Sequence, residues 1–176
     1  MSNRFVITGA MGSGKTPILR ELVAMGFAGV DEPARRVLAE QRRTGGDGVP
    51  EKDPSIFCRL MLSLAMSDFC EVDVATSFFD RGIPDLIGYA ELFGLGTTQA
   101  EQASAAYRYH DVVFFTPSWP EIYTTDDERK MTFEMADAFG QRIREVYHRL
   151  GYTFVDVPRG TPQERARFIL EHCDGA

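Results

Sequence analysis

The 176-residue sequence has few cysteines, no long apolar run and no excess of basic residues. Its three cysteines, Cys58, Cys70 and Cys173, are an odd number without a Cys-x-x-Cys pair, which disfavours a disulfide framework or a zinc site. No stretch reaches the roughly 18 apolar residues that cross a bilayer, so we expect no membrane segment. The 26 acidic residues outnumber the 19 basic ones, and the net charge of −7 disfavours nucleic acid or anionic lipid as a partner.

What remains is an ordinary globular composition, with 44% hydrophobic and 26% charged residues. The length predicts a single domain that covers residues 1–176. The chain starts MSNRFVITGA, without the apolar region of a signal peptide, and its cysteine usage suits a reducing compartment. We therefore expect a cytoplasmic protein.

Strand-like and helix-like segments alternate along the chain. Short β-branched and aromatic runs predict five strands, over residues 4–8, 27–30, 76–79, 112–115 and 152–157. Apolar residues at helical spacing predict helices over 17–25, 33–40, 54–72, 85–93, 100–109, 128–150 and 162–173, with a loop at 41–52. Thr98 and Thr161 are spaced from Glu101 and Glu164 as capping boxes. Strands separated by helices imply right-handed crossovers, and hence an α/β fold whose parallel sheet carries helices on both faces.

The strongest motif is GAMGSGKT, residues 9–16, which matches the phosphate-binding P-loop pattern G-x-x-x-x-G-K-[ST] between a predicted strand and a predicted helix. Its glycines let successive backbone N–H groups surround an anion, and the following helix directs its positive end at the same place. We expect Lys15 to reach the β- and γ-phosphates and Thr16 to ligate Mg²⁺. The predicted nucleotide-binding residues here are Gly9, Ala10, Met11, Gly12, Ser13, Gly14, Lys15, Thr16 and Pro17. The alternative is a glycine-rich turn with an incidental lysine.

Pro17 stands where a P-loop protein usually donates a backbone N–H to the α-phosphate. Proline has no N–H, although the first helical turn accepts its ring. The sequence therefore predicts that one contact to the α-phosphate is missing. Either nucleotide binding is weakened or the site depends more on the β- and γ-phosphates, unless a neighbouring amide or water compensates.

Charged residues follow the second and third predicted strands, at the sheet edge where α/β proteins bind ligands. Asp80 is predicted to be a catalytic carboxylate that helps to hold Mg²⁺, and Arg81 to bind an anionic group of a substrate. Glu32 is predicted to take the proton from an acceptor hydroxyl, with Asp31 as the fallback, and Arg36 to hold the acceptor. The alternative for these residues is helix capping, turn formation and solvated charge.

Two further loops contain basic residues that are predicted to act at the nucleotide. The segment 116–130 is long enough for a lid, in which Arg129 would neutralise charge on the transferring phosphoryl group. Its alternative is a helix capped by Asp126 or Asp127 with a solvated arginine. Arg159 follows the last strand and is predicted to contact the nucleotide near its adenine, with an ordinary turn as the alternative.

Taken together, the segments GAMGSGKT, VDEPARR, FFDRGIPDLIGYAELFG, WPEIYTTDDER and YTFVDVPRGTPQERARFIL resemble the small bacterial AAA-domain predicted ATPases. These are similar to the nicotinamide riboside kinase domain of NadR and, more distantly, to deoxynucleoside and thymidylate kinases. The resemblance implies a P-loop NTPase fold, a three-layer αβα sandwich with strand order 2-3-1-4-5 and a lid. It also implies that Glu32 matches the base of deoxynucleoside kinases, that Asp80 and Arg81 match their acid–arginine pair, and that Arg129 falls in the lid.

Two functions follow from these observations. The first is ATP- and Mg²⁺-dependent phosphoryl transfer to a small, nucleoside-like acceptor. The second is an ATPase or a nucleotide-dependent regulatory switch that has no small-molecule acceptor. A pocket lined by Glu32 and Arg81 beside the γ-phosphate would favour the first, and the absence of an Asn-Lys-x-Asp motif disfavours GTP for either.

Overall fold

The computed structural model describes residues 3–72, 76–123 and 131–173. Its five strands form one parallel sheet in the order β2-β3-β1-β4-β5, which confirms the predicted order. The strands are β1 (Arg4–Gly9), β2 (Ala28–Val30), β3 (Ser77–Asp80), β4 (Val112–Thr116) and β5 (Thr153–Asp156). The central strand β1 is buried from Phe5 onward, as expected for a strand covered on both faces.

Helices cover both faces of the sheet and complete the three layers. They are α1 (Lys15–Ala24), α2 (Pro33–Thr44), α3 (Pro54–Glu71), α4 (Ile83–Leu92), α5 (Thr98–Ala106), α6 (Phe133–Arg149) and α7 (Pro162–Cys173), with a 3-10 turn at Pro120–Ile122. Successive side chains of β1 point to opposite faces. Ile7 joins the apolar cluster with Ile18 of α1 and Ile169 of α7, while Val6 joins the cluster of the other helices.

The largest differences from the predicted helix bounds are in three helices. Helix α2 continues through residue 44 into the predicted loop, because the first residue with left-handed backbone is Gly45, which ends the helix. Helix α6 begins at residue 133 rather than 128, because the Thr132 hydroxyl accepts a hydrogen bond from the Met135 amide as its N-cap. Asp126 and Asp127, the predicted caps, lie outside the described residues. Helix α5 follows Thr97, not Thr98, and ends at residue 106.

The carboxyl ends of β1, β2 and β3 lie at the same edge of the sheet. Asp80 is in register with Ile7, two residues before the P-loop begins, and Val30 is in register with the neighbouring Phe79. The polar segments after these strands are therefore brought together at one edge, as expected for a parallel α/β sheet. No helix in the described part of the chain is both long and apolar enough to cross a membrane.

Candidate active site

The P-loop is a tightly folded turn between β1 and α1. The buried Ser13 hydroxyl donates to the Ala10 carbonyl at 2.7 Å and lies 2.6 Å from the Thr116 hydroxyl. Gly9 has a φ of 134°, and a Cβ there would lie 2.2 Å from the Thr116 carbonyl oxygen, so this position requires glycine. Gly14, with a φ of 84°, is the N-cap residue of α1. These contacts fix the loop against β4.

Lys15 is buried inside this loop, where its ammonium group donates to the Ala10 carbonyl at 2.8 Å. Burial, and secondarily the positive charge of Arg81, lowers the pKa of Lys15 from 10.5 to about 8. The side chain is therefore still mainly a cation at neutral pH. A phosphate bound in the loop would accept the hydrogen bonds of the Lys15 ammonium group in place of the Ala10 carbonyl.

Thr16 and Asp80 form the second element of the site. The Thr16 hydroxyl donates to Asp80 Oδ2 at 2.8 Å, while Asp80 Oδ1 is buried and has no hydrogen-bond partner among the residues the structure describes. Burial and the nearby charge of Glu32 raise the pKa of Asp80 to about 6. A hydroxyl and a carboxylate with one unsatisfied buried oxygen are hard oxygen donors of the kind that suits Mg²⁺.

No group of three metal-binding side chains occurs in the described ranges, so protein side chains there do not form a complete metal cage. Proteins usually bind Mg²⁺ through one or two side chains, substrate phosphates and waters. Thr16 and Asp80 fit that incomplete donor set.

Arg81 connects β3 to the end of β1 and is 3% exposed. Its backbone has a φ of 70°, an uncommon conformation for a residue with a side chain. Its Nε donates to Glu32 at 2.7 Å, and its Nη1 donates to Asp85 at 2.8 Å and to the Gly9 carbonyl at 3.1 Å. The Asp85 carboxylate also accepts from Tyr147 at 2.7 Å. The guanidinium is thus held in one orientation beside the P-loop.

Glu32 is the carboxylate at the end of β2 that this arginine holds. Its side chain caps no amide of α2 within the described structure, although the residue occupies the N-cap position. It accepts hydrogen bonds from Arg81, and from Arg35 and Tyr89 at 3.3 Å each. Burial alone would raise the pKa of Glu32, but the charges of Arg81 and Lys15 outweigh burial and lower it. Glu32 is therefore ionised at neutral pH. Asp31, the fallback, is exposed.

A cavity of about 860 Å³ joins these groups. It is lined by Gly12, Gly14, Lys15, Thr16, Pro17 and Arg165, and by an apolar wall made of Leu38, Phe57, Tyr89, Phe93 and Met135. Glu32, Arg35 and Arg81 also line it. The same space is therefore in contact with the P-loop, with a charged cluster and with an apolar wall.

Two predicted arginines lie away from this lining. Arg36 donates to Asp68 of α3 at 2.6 Å, whereas the preceding Arg35 lines the cavity. Arg159 lies 3.4 Å from Glu121 in an exposed ion pair. Arg129, the predicted lid residue, lies outside the described residues.

Three side chains of the site were not identified from the sequence: Asp85, Tyr89 and Arg165. Asp85 lies four residues after Arg81, the spacing at which helical side chains meet, and this is the signal that could have found it. Tyr89 follows one turn later. In the sequence, Arg165 is indistinguishable from a solvent-exposed arginine on a helix. Only the packing of α7 against α1 brings it to the P-loop.

Solved structures with a similar fold include a NadR protein, a deoxyadenosine kinase and a shikimate kinase. A NadR structure in complex with NR has a TM-score of 0.72 at 18% identity and is matched over 99% of this chain and 52% of that one. A deoxyadenosine kinase from M. mycoides has a TM-score of 0.65 at 14% identity over 98% and 100% of the two chains. A shikimate kinase from Acinetobacter baumannii has a TM-score of 0.62 at 14% identity over 99% and 94%.

At these identities the likeness establishes the fold, which is that of the P-loop kinases. The chain belongs to the AAA_28 family, described as an AAA domain, whose model matches residues 4–165. No curated protein matches the chain significantly. The chain spans about half the length of the NadR chain that it matches, 52%.

Proposed function

We propose that this protein transfers the γ-phosphoryl group of ATP to a hydroxyl of a small, nucleoside-like acceptor. The observation that carries this proposal is that one cavity is lined by Lys15 and Thr16, by Glu32 and Arg81, and by an apolar wall. Its volume of about 860 Å³ lies within the range of small-molecule sites, roughly 300–1,000 Å³. A nucleotide bound to the loop would place its terminal phosphate beside the charged cluster.

The nucleotide end follows from the chemistry of the loop. Lys15 would pair with the β- and γ-phosphates, and Thr16 and Asp80 would hold Mg²⁺. When bound, that ion supplies positive charge to the phosphate oxygens. The buried environment strengthens these interactions, because little water is present to screen them.

At the acceptor end, Glu32 would accept the hydrogen bond of the attacking hydroxyl and take its proton. Its lowered pKa keeps Glu32 ionised, so the accepting form is populated at neutral pH. A carboxylate also accepts the proton of the substrate hydroxyl in protein kinases. Arg81 would keep Glu32 in place and stabilise charge on the transferring group.

The rest of the acceptor would contact Arg35 and the apolar wall. Arg35, rather than Arg36, lines the cavity, so we assign the acceptor-binding role to Arg35. Phe57 and Phe93 lie in edge-to-face contact with their ring centroids 6.4 Å apart, and both line the cavity. Such a surface favours a flat, weakly polar group such as a nucleobase. The deoxyadenosine kinase match supports this class.

A nucleotide-dependent switch without an acceptor is the second candidate. It is favoured by the fact that Glu32 already accepts hydrogen bonds from three side chains of the protein. The protein itself therefore meets the hydrogen-bonding requirement of this carboxylate, without a hydroxyl from an acceptor. Only a measurement of acceptor-dependent turnover separates this candidate from the first.

The nucleotide part of the proposal is tested by calorimetric titration with ATP and ADP, with Mg²⁺ and with EDTA. We expect ATP to bind and Mg²⁺ to tighten its binding. Asp80→Asn should reduce the effect of Mg²⁺ on ATP affinity by about 10- to 100-fold, since it removes a carboxylate that orients the ion. The control is Asp111→Asn, an exposed residue that precedes β4 at the opposite sheet edge. Equal Mg²⁺ dependence in both variants would contradict the assignment of Asp80.

A further inference from the structure

The first turn of α1 has one fewer phosphate donor than a P-loop normally offers. Pro17 lines the cavity and has no N–H. The Ile18 amide is already used within the helix, because it donates a hydrogen bond to the Gly14 carbonyl at 3.4 Å. The first-turn amides left for a phosphate are those of Lys15 and Thr16. An α-phosphate there would lack the donor that residue 17 ordinarily supplies.

A buried arginine of α7 lies against the same loop. Arg165 is 4% exposed and lines the cavity, and its Nη1 donates to the Ser13 carbonyl at 2.9 Å. The same nitrogen would lie 2.7 Å from a Cβ at Gly14, so the guanidinium contacts the loop immediately before Lys15. Ala166 and Ile169 pack with Ile18 in one apolar cluster, which fixes α7 against α1.

The charge of Arg165 has no counterion within residues 3–72, 76–123 and 131–173. Burial alone shifts its pKa, with no contribution from a charged neighbour, and its buried Nε has no hydrogen-bond partner there. Burial lowers the pKa of Arg165 to about 10, so the group is still a cation at neutral pH. The Trp119 ring, with its centroid 5.7 Å from the guanidinium carbon, offsets only part of the cost of burying the charge.

A buried cation beside an anion-binding loop is compensated when an anion binds. We propose that Arg165 donates to the α-phosphate of the nucleotide and replaces the backbone contact that Pro17 removes. This inference rests on the proposed use of a nucleotide, but not on phosphoryl transfer or on the identity of the acceptor. It assigns to α7 a binding role that P-loop geometry alone does not require.

The test is a double-mutant cycle measured by calorimetric titration with ADP. Arg165→Ala should weaken ADP binding by about tenfold or more, the usual effect of losing a hydrogen bond to a charged group. Pro17→Thr should tighten ADP binding when introduced into the wild type. It should tighten binding by a larger factor when introduced into the Arg165→Ala variant. The two donors serve one phosphate, so Arg165→Ala is expected to cost less ADP affinity in the Pro17→Thr background than in the wild type.

Arg167→Ala is the matched control, since Arg167 is exposed on the same helix and should leave ADP affinity unchanged. Melting temperatures establish that each variant is folded, and Arg165→Lys, which keeps the charge but not the planar fork, serves if the alanine variant is not. An equal loss from Arg165→Ala in both backgrounds at residue 17 would overturn the inference. Wild-type protein that binds neither ADP nor ATP would overturn the proposed function as well.

Discussion

Glu32→Gln is expected to reduce acceptor-dependent phosphoryl transfer by about 10²- to 10⁴-fold, the usual contribution of a general base. The substitution keeps the shape of the side chain but removes the charge that attracts the acceptor proton. ATP affinity should stay nearly unchanged, because Lys15, Thr16 and the loop amides bind the phosphates. Turnover is measured as ADP formed in the presence of acceptor, and affinity by calorimetric titration.

Glu40→Gln provides the matched control for this variant. Glu40 lies on α2, but its side chain is 67% exposed, and its ion pair with Arg43 is 3.8 Å long. We expect its turnover to equal that of the wild type. Undiminished transfer by Glu32→Gln would remove the proposed base from the mechanism.

Arg81→Gln is expected to lower the free energy of unfolding at neutral pH by about 3–5 kcal/mol, the usual cost of breaking a buried ion pair. Arg81 is 2% exposed in its side chain, and it pairs with both Glu32 and Asp85. Its loss leaves two largely buried carboxylates without their shared cation. For a chain of this length the midpoint of thermal unfolding should fall by roughly 10 °C.

The pH dependence of this effect has a definite sign. Arg81 and Lys15 outweigh burial and lower the pKa of Glu32 below its usual value of 4.5 in the folded state. The stabilisation from ionised Glu32 is thus present above pH 4.5 and is lost as the pH falls through the folded-state pKa. The difference in unfolding midpoint between the wild type and Arg81→Gln should therefore be largest near neutral pH. It should become smaller as the pH falls below 4.5.

Arg35→Gln is the control, since Arg35 contacts the same carboxylate from a side chain that is 36% exposed. Exposed ion pairs contribute about 0–1 kcal/mol. If the two arginine variants destabilise the protein equally, burial of Arg81 is not what makes its ion pairs strong.

The sheet could be predicted from the sequence because its signals are local. The run before Gly9 and the aromatic pair Phe78-Phe79 each contain enough β-branched or aromatic residues to define a strand. The P-loop motif then places β1 and α1. The strand order came from the resemblance to P-loop kinases, not from the strands themselves, because pairing depends on contacts far apart in the chain.

The side-chain partners could not be predicted in the same way. Arg35 and Arg36 are adjacent in the sequence, and the rotation of α2 decides which of them faces the cavity and which meets Asp68. Arg165 reaches the P-loop across 152 residues of chain, so nothing near it in the sequence indicates its role. The lid role of Arg129, a single domain over residues 1–176 and the cytoplasmic location stay predictions.

Transfer of the phosphoryl group of ATP to an acceptor bound beside Glu32 is tested most directly by an acceptor screen. Purified protein is incubated with ATP and Mg²⁺ and with each member of a panel of nucleosides and other small hydroxyl compounds. ADP and phosphorylated acceptor are then quantified together. We expect one chemical class to stimulate ADP formation, with one phosphorylated acceptor formed per ADP. ATP binding without stimulation by any compound, or ADP formed only with free phosphate, would contradict transfer to an acceptor and favour the switch or the ATPase.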